Sequence, residues 1–362
     1  MRIHAAVLRQ KGGPLTIEEL ELDGPREDEI LVRLVASGIC RTDIDFCDDW
    51  YEGTETLILG HEGAGIVEQV GKKVRDVRPS DHVVLSYQSC GHCSSCRSGH
   101  PTACEHFWEA NFGFSRLDGS NALQHSAVRG HFFGQSSFAT HTLVTERNLV
   151  QVPADLPLEL LAPLGCGLQT GAGTVLNSLA VSPGKSIAVF GTGAVGLAAV
   201  MAARIVGAGP IIGVDIIPQR LDLALELGAS HIINARRENV AEHLAFITGH
   251  GVDYVVETTG LPQMHDLAVK MLNPGGTAAL MSGASGTEYE EGRRSIGIIQ
   301  GDAVPQLFIP ELIEWHRAGK FPFDRLVKFY PFEEINRAMD DARRGDTIKP
   351  VLRIGSDRVR EY

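Results

Sequence analysis

Four cysteines stand close together in a short polar segment and could bind a metal ion. The thiols belong to Cys90, Cys93, Cys96 and Cys104. Four thiolates fill a tetrahedral zinc shell, and a shell with no open position has a structural rather than a catalytic role. Free thiols and an iron–sulfur cluster are the alternatives, although the spacing departs from the ferredoxin pattern. Three neighbouring histidines could substitute as ligands, but we interpret them as solvated loop residues: His92, His100 and His106.

A glycine-rich turn predicts a site for the pyrophosphate of a dinucleotide. An apolar, β-type run ends at Phe190 and is followed by Gly191, Gly193 and Gly196, after which the helix-compatible run 197–206 begins. The first glycine permits the tight turn, the second lets the backbone approach the phosphates, and the third lets the helix pack on its strand. The free N–H groups of that helix favour an anion. A purely structural turn is the alternative.

An acidic residue further along supports the dinucleotide interpretation and indicates which cofactor binds. Residues 210–214 read as the next parallel strand, and Asp215 ends it. A carboxylate there would accept hydrogen bonds from the adenosine ribose hydroxyls. The same carboxylate would repel a 2′-phosphate, although Arg220 lies nearby. We therefore expect NAD rather than NADP, with Asp215 and Arg220 at the cofactor.

A third group of reactive residues lies in two segments near the N-terminus. Residues 38–43 carry Cys40, Thr42 and Asp43, and residues 59–65 carry His61 and Glu62. Thiol, hydroxyl, imidazole and carboxyl groups are concentrated here beyond what the core of a β domain needs.

Composition and charge limit the class of protein. A chain of 362 residues is long enough for two domains, and its net charge of −12 argues against nucleic acid or an anionic membrane as a partner. The run 187–214 is apolar enough to imitate a membrane span, but Arg204 and several glycines interrupt it, which favours a buried strand-helix-strand unit. The apolar run 3–8 is too short for a signal peptide. We expect a cytoplasmic protein with reduced cysteines.

The elements that position these groups divide the chain into two kinds of structure. Residues 1–35 alternate short β-type runs with polar turns and predict an antiparallel, barrel-like β domain, whereas 105–130 reads as a long irregular loop. From residue 186 to 282, strands and helices alternate, which predicts a doubly wound parallel sheet and an α/β fold. Helices are expected at 310–318 and 333–344. A last strand at 349–354 is expected to return to the first domain.

The whole set of motifs resembles the zinc-dependent medium-chain alcohol dehydrogenases over nearly the full length. The resemblance rests on the run Gly60-His61-Glu62-Gly63-Ala64-Gly65 with the later Gly71, the four-cysteine lobe, the glycine turn with Asp215, and Cys166. The stretches around Cys40 and Phe132 and the segment from Pro310 look most like bacterial aryl- or benzyl-alcohol dehydrogenases. The resemblance implies a GroES-like catalytic domain of residues 1–167 and 299–362, with the zinc lobe at 90–104. It also implies a Rossmann domain of residues 168–298.

The same resemblance implies a catalytic zinc ion held by Cys40, His61 and Cys166, and a second, structural zinc ion held by the four-cysteine lobe. Two thiolates and one neutral imidazole make an uncharged site, and the open fourth position suits a Lewis acid that binds and releases an alcohol. A small buried hydrophobe is the alternative for either cysteine alone, and a satisfied core histidine is the alternative for His61.

Further roles follow from the resemblance around that zinc. Thr42 takes the alcohol proton and passes it towards the nicotinamide ribose, Asp43 orients His61 through the ring N–H, and Glu62 lies close behind the metal. Asp45 stands where some relatives continue the proton relay with a histidine. Either this carboxylate ends the relay, or the proton leaves through water.

The remaining implied positions concern the cofactor. Arg41 and Lys349 resemble residues that meet the pyrophosphate, and Thr170 and Val195 resemble residues that pack on the nicotinamide. The family also suggests a homodimer or a homotetramer.

An aromatic wall would select a flat, apolar alcohol, because such rings stack on other rings. The candidates are Trp50, Trp108, Phe132 and Phe133, some of which could instead be core residues. We expect reversible oxidation of an aryl or allylic primary alcohol to its aldehyde. Ala162 before Pro163 favours this branch over the polyol dehydrogenases. A glutathione-adduct dehydrogenase would need a cationic pocket for the carboxylate of the adduct. Trp108 falls near the place of that pocket, although Arg116 follows it in the sequence. A non-catalytic protein of this fold would be expected to lose the ligands of the catalytic zinc.

Overall fold

The computed structural model describes residues 1–49, 56–281 and 286–355. Trp50, predicted to line the substrate pocket, lies outside the described residues. The chain divides into two compact units. The first contains Met1–Cys166, Val304–Pro310 and Leu326–Tyr362, and the second contains Gly167–Ala303 and Glu311–Arg325.

The strands are numbered in chain order. They are β1 (Arg2–Leu8), β2 (Leu15–Glu21), β3 (Glu29–Gly38), β4 (Leu57–Ile58), β5 (Glu62–Val70), β6 (His82–Leu85), β7 (His141–Thr145), β8 (Leu149–Gln151), β9 (Ile187–Phe190), β10 (Ile211–Asp215), β11 (His231–Asn234), β12 (Val252–Glu257), β13 (Leu272–Leu280), β14 (Thr287–Glu288), β15 (Arg294–Gly297), β16 (Val327–Pro331) and β17 (Lys349–Arg353).

The helices follow the same numbering. They are α1 (Arg41–Asp48), α2 (Ser94–Arg97), α3 (Phe107–Phe112), α4 (Leu158–Leu161), α5 (Gly167–Gly173), α6 (Ala194–Ile205), α7 (Pro218–Leu227), α8 (Val240–Thr248), α9 (Pro262–Lys270), α10 (Pro305–Arg317) and α11 (Ile335–Arg344). Short 3-10 turns occupy Pro101–Ala103, Phe132–Gly134, Glu146–Asn148, Ala162–Gly165, Glu290–Gly292, Gln300–Asp302, Phe323–Leu326 and Phe332–Glu334, and a π-helical turn spans Thr174–Ser178.

Strand β3 is the centre of the first unit. It pairs antiparallel with β5 along one edge, while β7 and β17 share its other edge. Eight of its ten residues are buried, which explains why the run Ile30-Leu31-Val32 does not alternate with polar residues. The sheet continues through β6 and β8 beyond β5 and through β16 beyond β17, while β1 forms a separate sheet with β2 and β4.

The second unit is built on a parallel sheet, as the sequence predicts. Its described strands follow the order β11-β10-β9-β12-β13-β15-β14, and only β14 runs antiparallel to its neighbour. The order reverses beside β9, so the carboxyl ends of β9 and β12 lie next to each other at the switch point of a doubly wound fold. Apolar side chains such as Ile212, Val214 and Leu244 form part of its core.

Two predicted elements differ from the structure. The loop expected over 105–130 contains helix α3, and the helix expected from Pro310 begins at Pro305 and carries Pro310 in its interior. Among the described residues, no helix combines the length and apolar character that spanning a bilayer requires.

Candidate active site and metal centres

Three predicted zinc ligands come together in the first unit. The ligand atoms of Cys40, His61 and Cys166, together with a carboxylate oxygen of Glu62, lie within 4.8 Å of one another. Strands β3 and β5 produce this meeting, because Gly38 pairs with Glu62 in the antiparallel register. Cys40 therefore lies just after the end of β3, and His61 lies just before the start of β5. The register of the two strands brings these two residues close together.

The environment of His61 fits a metal ligand. Its ring is fully buried, and Nδ1 lies 3.0 Å from Asp43 Oδ1, while Cys40 N–H donates to Asp43 Oδ2 at 2.9 Å. A carboxylate on one ring nitrogen fixes the tautomer and leaves the other nitrogen basic. That other nitrogen, Nε2, is buried with no hydrogen-bond partner among the described residues. An orphaned imidazole nitrogen beside two thiols is the donor set that zinc prefers.

The charges of the metal-free site point the same way. The hydrogen bond from Cys166, with help from the Lys349 and His61 charges, lowers the pKa of Cys40 well below its usual value, although burial opposes this. Burial lowers the pKa of His61, but the charges of Asp43 and Cys40 outweigh it and raise that pKa to about 10. A zinc ion bound there would need the thiolate of Cys40 and the lone pair of one His61 ring nitrogen.

Glu62 and Lys349 form a buried ion pair behind these residues. The Lys349 amine lies 2.9 Å from each Glu62 carboxylate oxygen and donates to Ile39 O at 3.1 Å, and its side chain is 2% exposed. A Cβ at Gly38 would lie 2.0 Å from Glu62 Oε2, so only glycine fits there. Burial raises the pKa of Glu62, and the Lys349 charge opposes that shift. The amine expected at the pyrophosphate is thus engaged with Glu62 in this structure.

Three predicted residues lie on the first turns of α1. The Thr42 hydroxyl lies 3.9 Å from Cys40 Sγ, which places it beside the metal ligands. Arg41 Nε donates to Asp45 Oδ1 at 2.6 Å across one helical turn, and both side chains are exposed.

Aromatic rings cover the imidazole, as the sequence suggests in part. Phe133 stacks on His61 with centroids 4.4 Å apart and an interplanar angle of 21°, and Phe132 meets the same ring edge-on at 5.5 Å. Sequence reasoning missed Phe46, which stacks on Phe112 at 5.3 Å. Phe46 lies one helical turn after Thr42 on α1, and this spacing could have indicated that the two side chains share a face of the helix. The predicted pocket residue Trp108 is 64% exposed and stacks on Phe112.

The four-cysteine lobe has the geometry of a closed zinc shell. The four sulfur atoms lie within 4.8 Å of one another, with Cys90 to Cys96 at 3.9 Å and Cys93 to Cys104 at 4.0 Å. Tetrahedral zinc with bonds of about 2.3 Å separates its sulfurs by roughly 3.8 Å. Backbone N–H bonds from Cys96 and Glu105 lower the pKa of Cys93 to about 6, which favours the thiolate.

The predicted pyrophosphate turn lies at the carboxyl end of β9. Gly191 has a φ of +86°, and a Cβ at Gly196 would lie 1.9 Å from Gly191 O, whereas a Cβ at Gly193 would meet nothing within 4 Å. Two glycines are therefore required by the turn itself. Gly193 has free space in front of it, which suits the approach of a ligand.

Asp215 holds this turn in place. Its Oδ2 accepts from Thr192 N at 2.7 Å and from the Thr192 hydroxyl at 3.1 Å, while Oδ1 accepts from Ile216 N and Ile217 N. The carboxylate that is expected to bind the ribose thus also ties the end of β10 to the glycine turn.

The other predicted cofactor residues lie on three helices of the second unit. Thr170 is on α5, Val195 on α6 and Arg220 on α7, and all three are half-buried. Helices α5 and α6 touch at Gly171, where an added Cβ would lie 2.0 Å from Val195 O. This close approach brings the backbone beside Thr170 against that of Val195.

Arg116, which follows the predicted aromatic wall, is engaged in the interior. Its guanidinium donates to both carboxylate oxygens of Glu29 and, at 3.0 Å, to Asp23 Oδ2. Its charge is neutralised by these carboxylates.

Comparison with known proteins places the chain among dehydrogenases. Residues 26–154 match the alcohol dehydrogenase GroES-like domain, and residues 194–298 match the zinc-binding dehydrogenase family. A geraniol dehydrogenase from Castellaniella defragrans is 45% identical over 96% of each chain. The crystal structure of benzyl alcohol dehydrogenase from Acinetobacter calcoaceticus has a TM-score of 0.94 at 43% identity, covering 98% of this chain and 100% of that one. An alcohol dehydrogenase zinc-binding domain protein from Burkholderia ambifaria has the same TM-score at 50% identity and covers 98% and 99%. The chain therefore belongs to the zinc-dependent medium-chain alcohol dehydrogenases.

Proposed function

We propose that this enzyme catalyses the reversible, NAD-dependent oxidation of an aryl or allylic primary alcohol to its aldehyde, with one catalytic and one structural zinc ion per chain. The observation that carries the proposal is the grouping of Cys40, His61 and Cys166, with the orphaned His61 Nε2 among them and the Phe133 ring stacked on the imidazole. Similarity to a geraniol dehydrogenase and to a benzyl alcohol dehydrogenase supports this substrate class.

In this proposal, each residue near the cluster has its own task. A zinc ion bound by the two thiolates and the imidazole supplies Lewis-acid chemistry, which lowers the pKa of an alcohol hydroxyl. Asp43 holds the imidazole in one tautomer. The Thr42 hydroxyl accepts the alcohol proton as it passes its own proton on towards the nicotinamide ribose. Phe132 and Phe133 are both buried and exclude water from the imidazole, and in this proposal the Phe133 ring lines the side from which an unsaturated substrate approaches.

The dinucleotide is assigned to the second unit. The glycine turn from 191 to 196 would hold the pyrophosphate at the start of α6, and Asp215 would bind the adenosine ribose. Arg41, Thr170, Val195 and Arg220 remain predicted cofactor contacts. Lys349 could reach a pyrophosphate only by leaving Glu62, so we propose it as a partner of Glu62 first.

The broader organisation completes the proposal. We assign catalysis to the GroES-like part, residues 1–167 and 299–362, and cofactor binding to residues 168–298. A homodimer or homotetramer in the cytoplasm is the expectation that the family resemblance and the cysteine content favour. The glutathione-adduct alternative loses support because the Arg116 guanidinium is bonded to Glu29 and Asp23.

A substrate panel tests the assignment. Zinc-loaded protein is assayed by absorbance of the reduced nicotinamide with benzyl alcohol, cinnamyl alcohol, geraniol, ethanol and sorbitol, each with NAD and with NADP. We expect the highest kcat/KM for the aromatic and allylic alcohols with NAD. Activity confined to ethanol or sorbitol would overturn the substrate class, and activity confined to NADP would overturn the cofactor.

A substitution in the aromatic wall sharpens the panel. Phe133→Leu should lower kcat/KM for benzyl alcohol relative to ethanol by about 2- to 10-fold, because an aromatic pair contributes about 0.5–1.5 kcal/mol beyond its buried area. Phe246→Leu is the control, since Phe246 on α8 is 89% exposed. Equal changes for both alcohols would place Phe133 in the core rather than at the substrate.

A further inference from the structure

The four cysteines of the lobe are not equally buried. Cys93, Cys96 and Cys104 are buried, whereas Cys90 is only half-buried. Cys90 is therefore the least buried residue of the four. A metal ion that enters or leaves the lobe would do so most readily on the side of this thiol.

Two exposed histidines stand on that side. One ring nitrogen of His92 and one of His106 lie within 4.8 Å of each other and of the Cys90 sulfur. The ring centroids of the two histidines are 6.0 Å apart. Thiolate and imidazole are the ligands that zinc binds most often, and three such donors within this distance can share one ion.

The hydrogen bonds of both rings prepare them for a metal. His92 Nδ1 lies 2.9 Å from Cys90 O, and His106 Nδ1 lies 3.0 Å from Glu109 Oε2. Metal-binding histidines characteristically donate one ring N–H to a carbonyl or a carboxylate, which fixes the tautomer and raises the basicity of the other nitrogen. With Nδ1 as the donor, Nε2 is the ring nitrogen of each histidine that remains for a metal ion.

We propose that Cys90, His92 and His106 form an accessory zinc site that shares the Cys90 thiolate with the four-cysteine centre. Zn²⁺ from solvent binds there first and then passes to the buried thiolates, and it leaves by the same route. Water completes the coordination, because both histidines face solvent.

Another histidine of the same lobe, His100, provides a control for this proposal. His100 is also exposed and lies in the same cysteine-rich segment, but it is not part of the histidine and cysteine group around Cys90. The variants are therefore His92→Gln/His106→Gln as a pair, and His100→Gln alone. Glutamine keeps a polar side chain of similar size but is a poor zinc ligand.

The first measurement counts ions. Holoenzyme with its resident zinc in place is dialysed at neutral pH against buffered Zn²⁺, and zinc per chain is determined by mass spectrometry. We expect one additional ion per chain in wild type and in His100→Gln, and none in the double variant. An additional ion that persists in the double variant, or its absence from wild type, overturns the proposal.

The second measurement follows exchange. Holoenzyme is placed in Zn²⁺ of a different stable isotope, and incorporation into the four-cysteine lobe is measured after proteolytic isolation of the lobe with its metal. The double variant should exchange at least several-fold more slowly than wild type and His100→Gln. Equal rates in all three proteins would overturn the exchange route. Thermal denaturation of the three proteins controls for a loss of stability.

Discussion

At the scale of single residues, the catalytic cluster depends on side chains that are not ligands. Asp43 accepts three hydrogen bonds, from His61 Nδ1 and from the backbone N–H groups of Cys40 and Gly60, while it is itself fully buried. It thereby ties together the two segments that carry predicted ligands. The orientation of the imidazole is set before any metal binds.

Replacement of Asp43 should therefore weaken the metal. We expect Asp43→Asn to lower the zinc affinity of the catalytic site by about 10- to 100-fold, because the carboxylate raises the basicity of the ligating ring. Competition with a chromophoric chelator measures this affinity. Asp48→Asn is the control on the same helix, since Asp48 pairs only with Arg343 among its described ion pairs. Equal affinities in the two variants would contradict the expectation.

The buried pair of Glu62 and Lys349 makes a prediction about stability. Removal of one partner from a buried ion pair leaves an uncompensated charge and costs about 3–5 kcal/mol, whereas an exposed pair contributes about 0–1 kcal/mol. Lys349→Met should lower the free energy of unfolding by the larger amount, and Lys73→Met, at an exposed pair with Glu27, by the smaller.

Urea denaturation of the zinc-loaded proteins measures both changes. The double variant Lys349→Met/Glu62→Gln should recover part of the loss, because the remaining side chain is neutral. If the single variant is no less stable than Lys73→Met, the pair does not contribute to folding.

At the scale of secondary-structure elements, the segment from β9 through the turn to α6 contains glycines with two different roles. Gly196 is required because its helix lies against Gly191 O, and a Cβ there would overlap that oxygen. A Cβ at Gly193 would meet no atom of the described residues within 4 Å. Gly196 is therefore required by the fold, whereas Gly193 leaves room for a ligand.

Alanine substitutions should separate these roles. Gly196→Ala should destabilise the second unit and lower its melting temperature by several degrees, because the backbone must shift. Gly193→Ala should leave the melting temperature unchanged and weaken NADH binding by at least 10-fold, which quenching of protein fluorescence measures. Unchanged NADH affinity in Gly193→Ala would contradict the assignment of the turn to the pyrophosphate.

The sequence predicted most elements because their signals are local. The strand 231–234 and the helix and strand order of the second unit follow from periodicity and turn residues. Helix α3 was missed because six residues make less than two turns and no side chain caps its start. The start of α10 was placed at Pro310 because proline favours the first turn of a helix, and Pro305 competes for that role.

The candidate site was predictable to the extent that its residues carry a motif. The spacing of Cys90, Cys93, Cys96 and Cys104 predicts one group of ligands without the fold, whereas Cys40, His61 and Cys166 are predicted from the family resemblance. The Glu62–Lys349 pair could not be predicted, because its contact joins residues far apart in sequence and depends on the register of β3 with β5 and β17.

At the scale of the whole molecule, a metal ion in the four-cysteine lobe would have a role that differs from that of an apolar core. Residues 90–104 contain few large buried apolar side chains, so an ion bound there would supply much of the local stability. Its loss should therefore unfold the lobe and leave the second unit, which has its own apolar core, intact.

Hydrogen exchange after chelation checks this expectation. Treatment with a strong chelator should remove protection from amides of residues 90–112, while amides of β9, β10 and β12 keep theirs. The zinc-loaded protein with chelator omitted is the control. Loss of protection in those three strands as well would show that the metal stabilises more than the lobe.

The pairing of β17 with β3 has a consequence for synthesis on the ribosome. Residues 351–353 complete the edge of β3 at 36–38, and Lys349 neutralises Glu62, yet the whole second unit lies between them in the chain. At about 5 to 20 residues per second, the chain between Gly38 and Arg353 takes roughly 15 to 60 s to emerge. During that interval the nascent chain holds an open strand edge at 36–38, and Glu62 lacks the charge of Lys349. We expect chaperones to bind and protect the first unit of the nascent chain until the last strand leaves the ribosome.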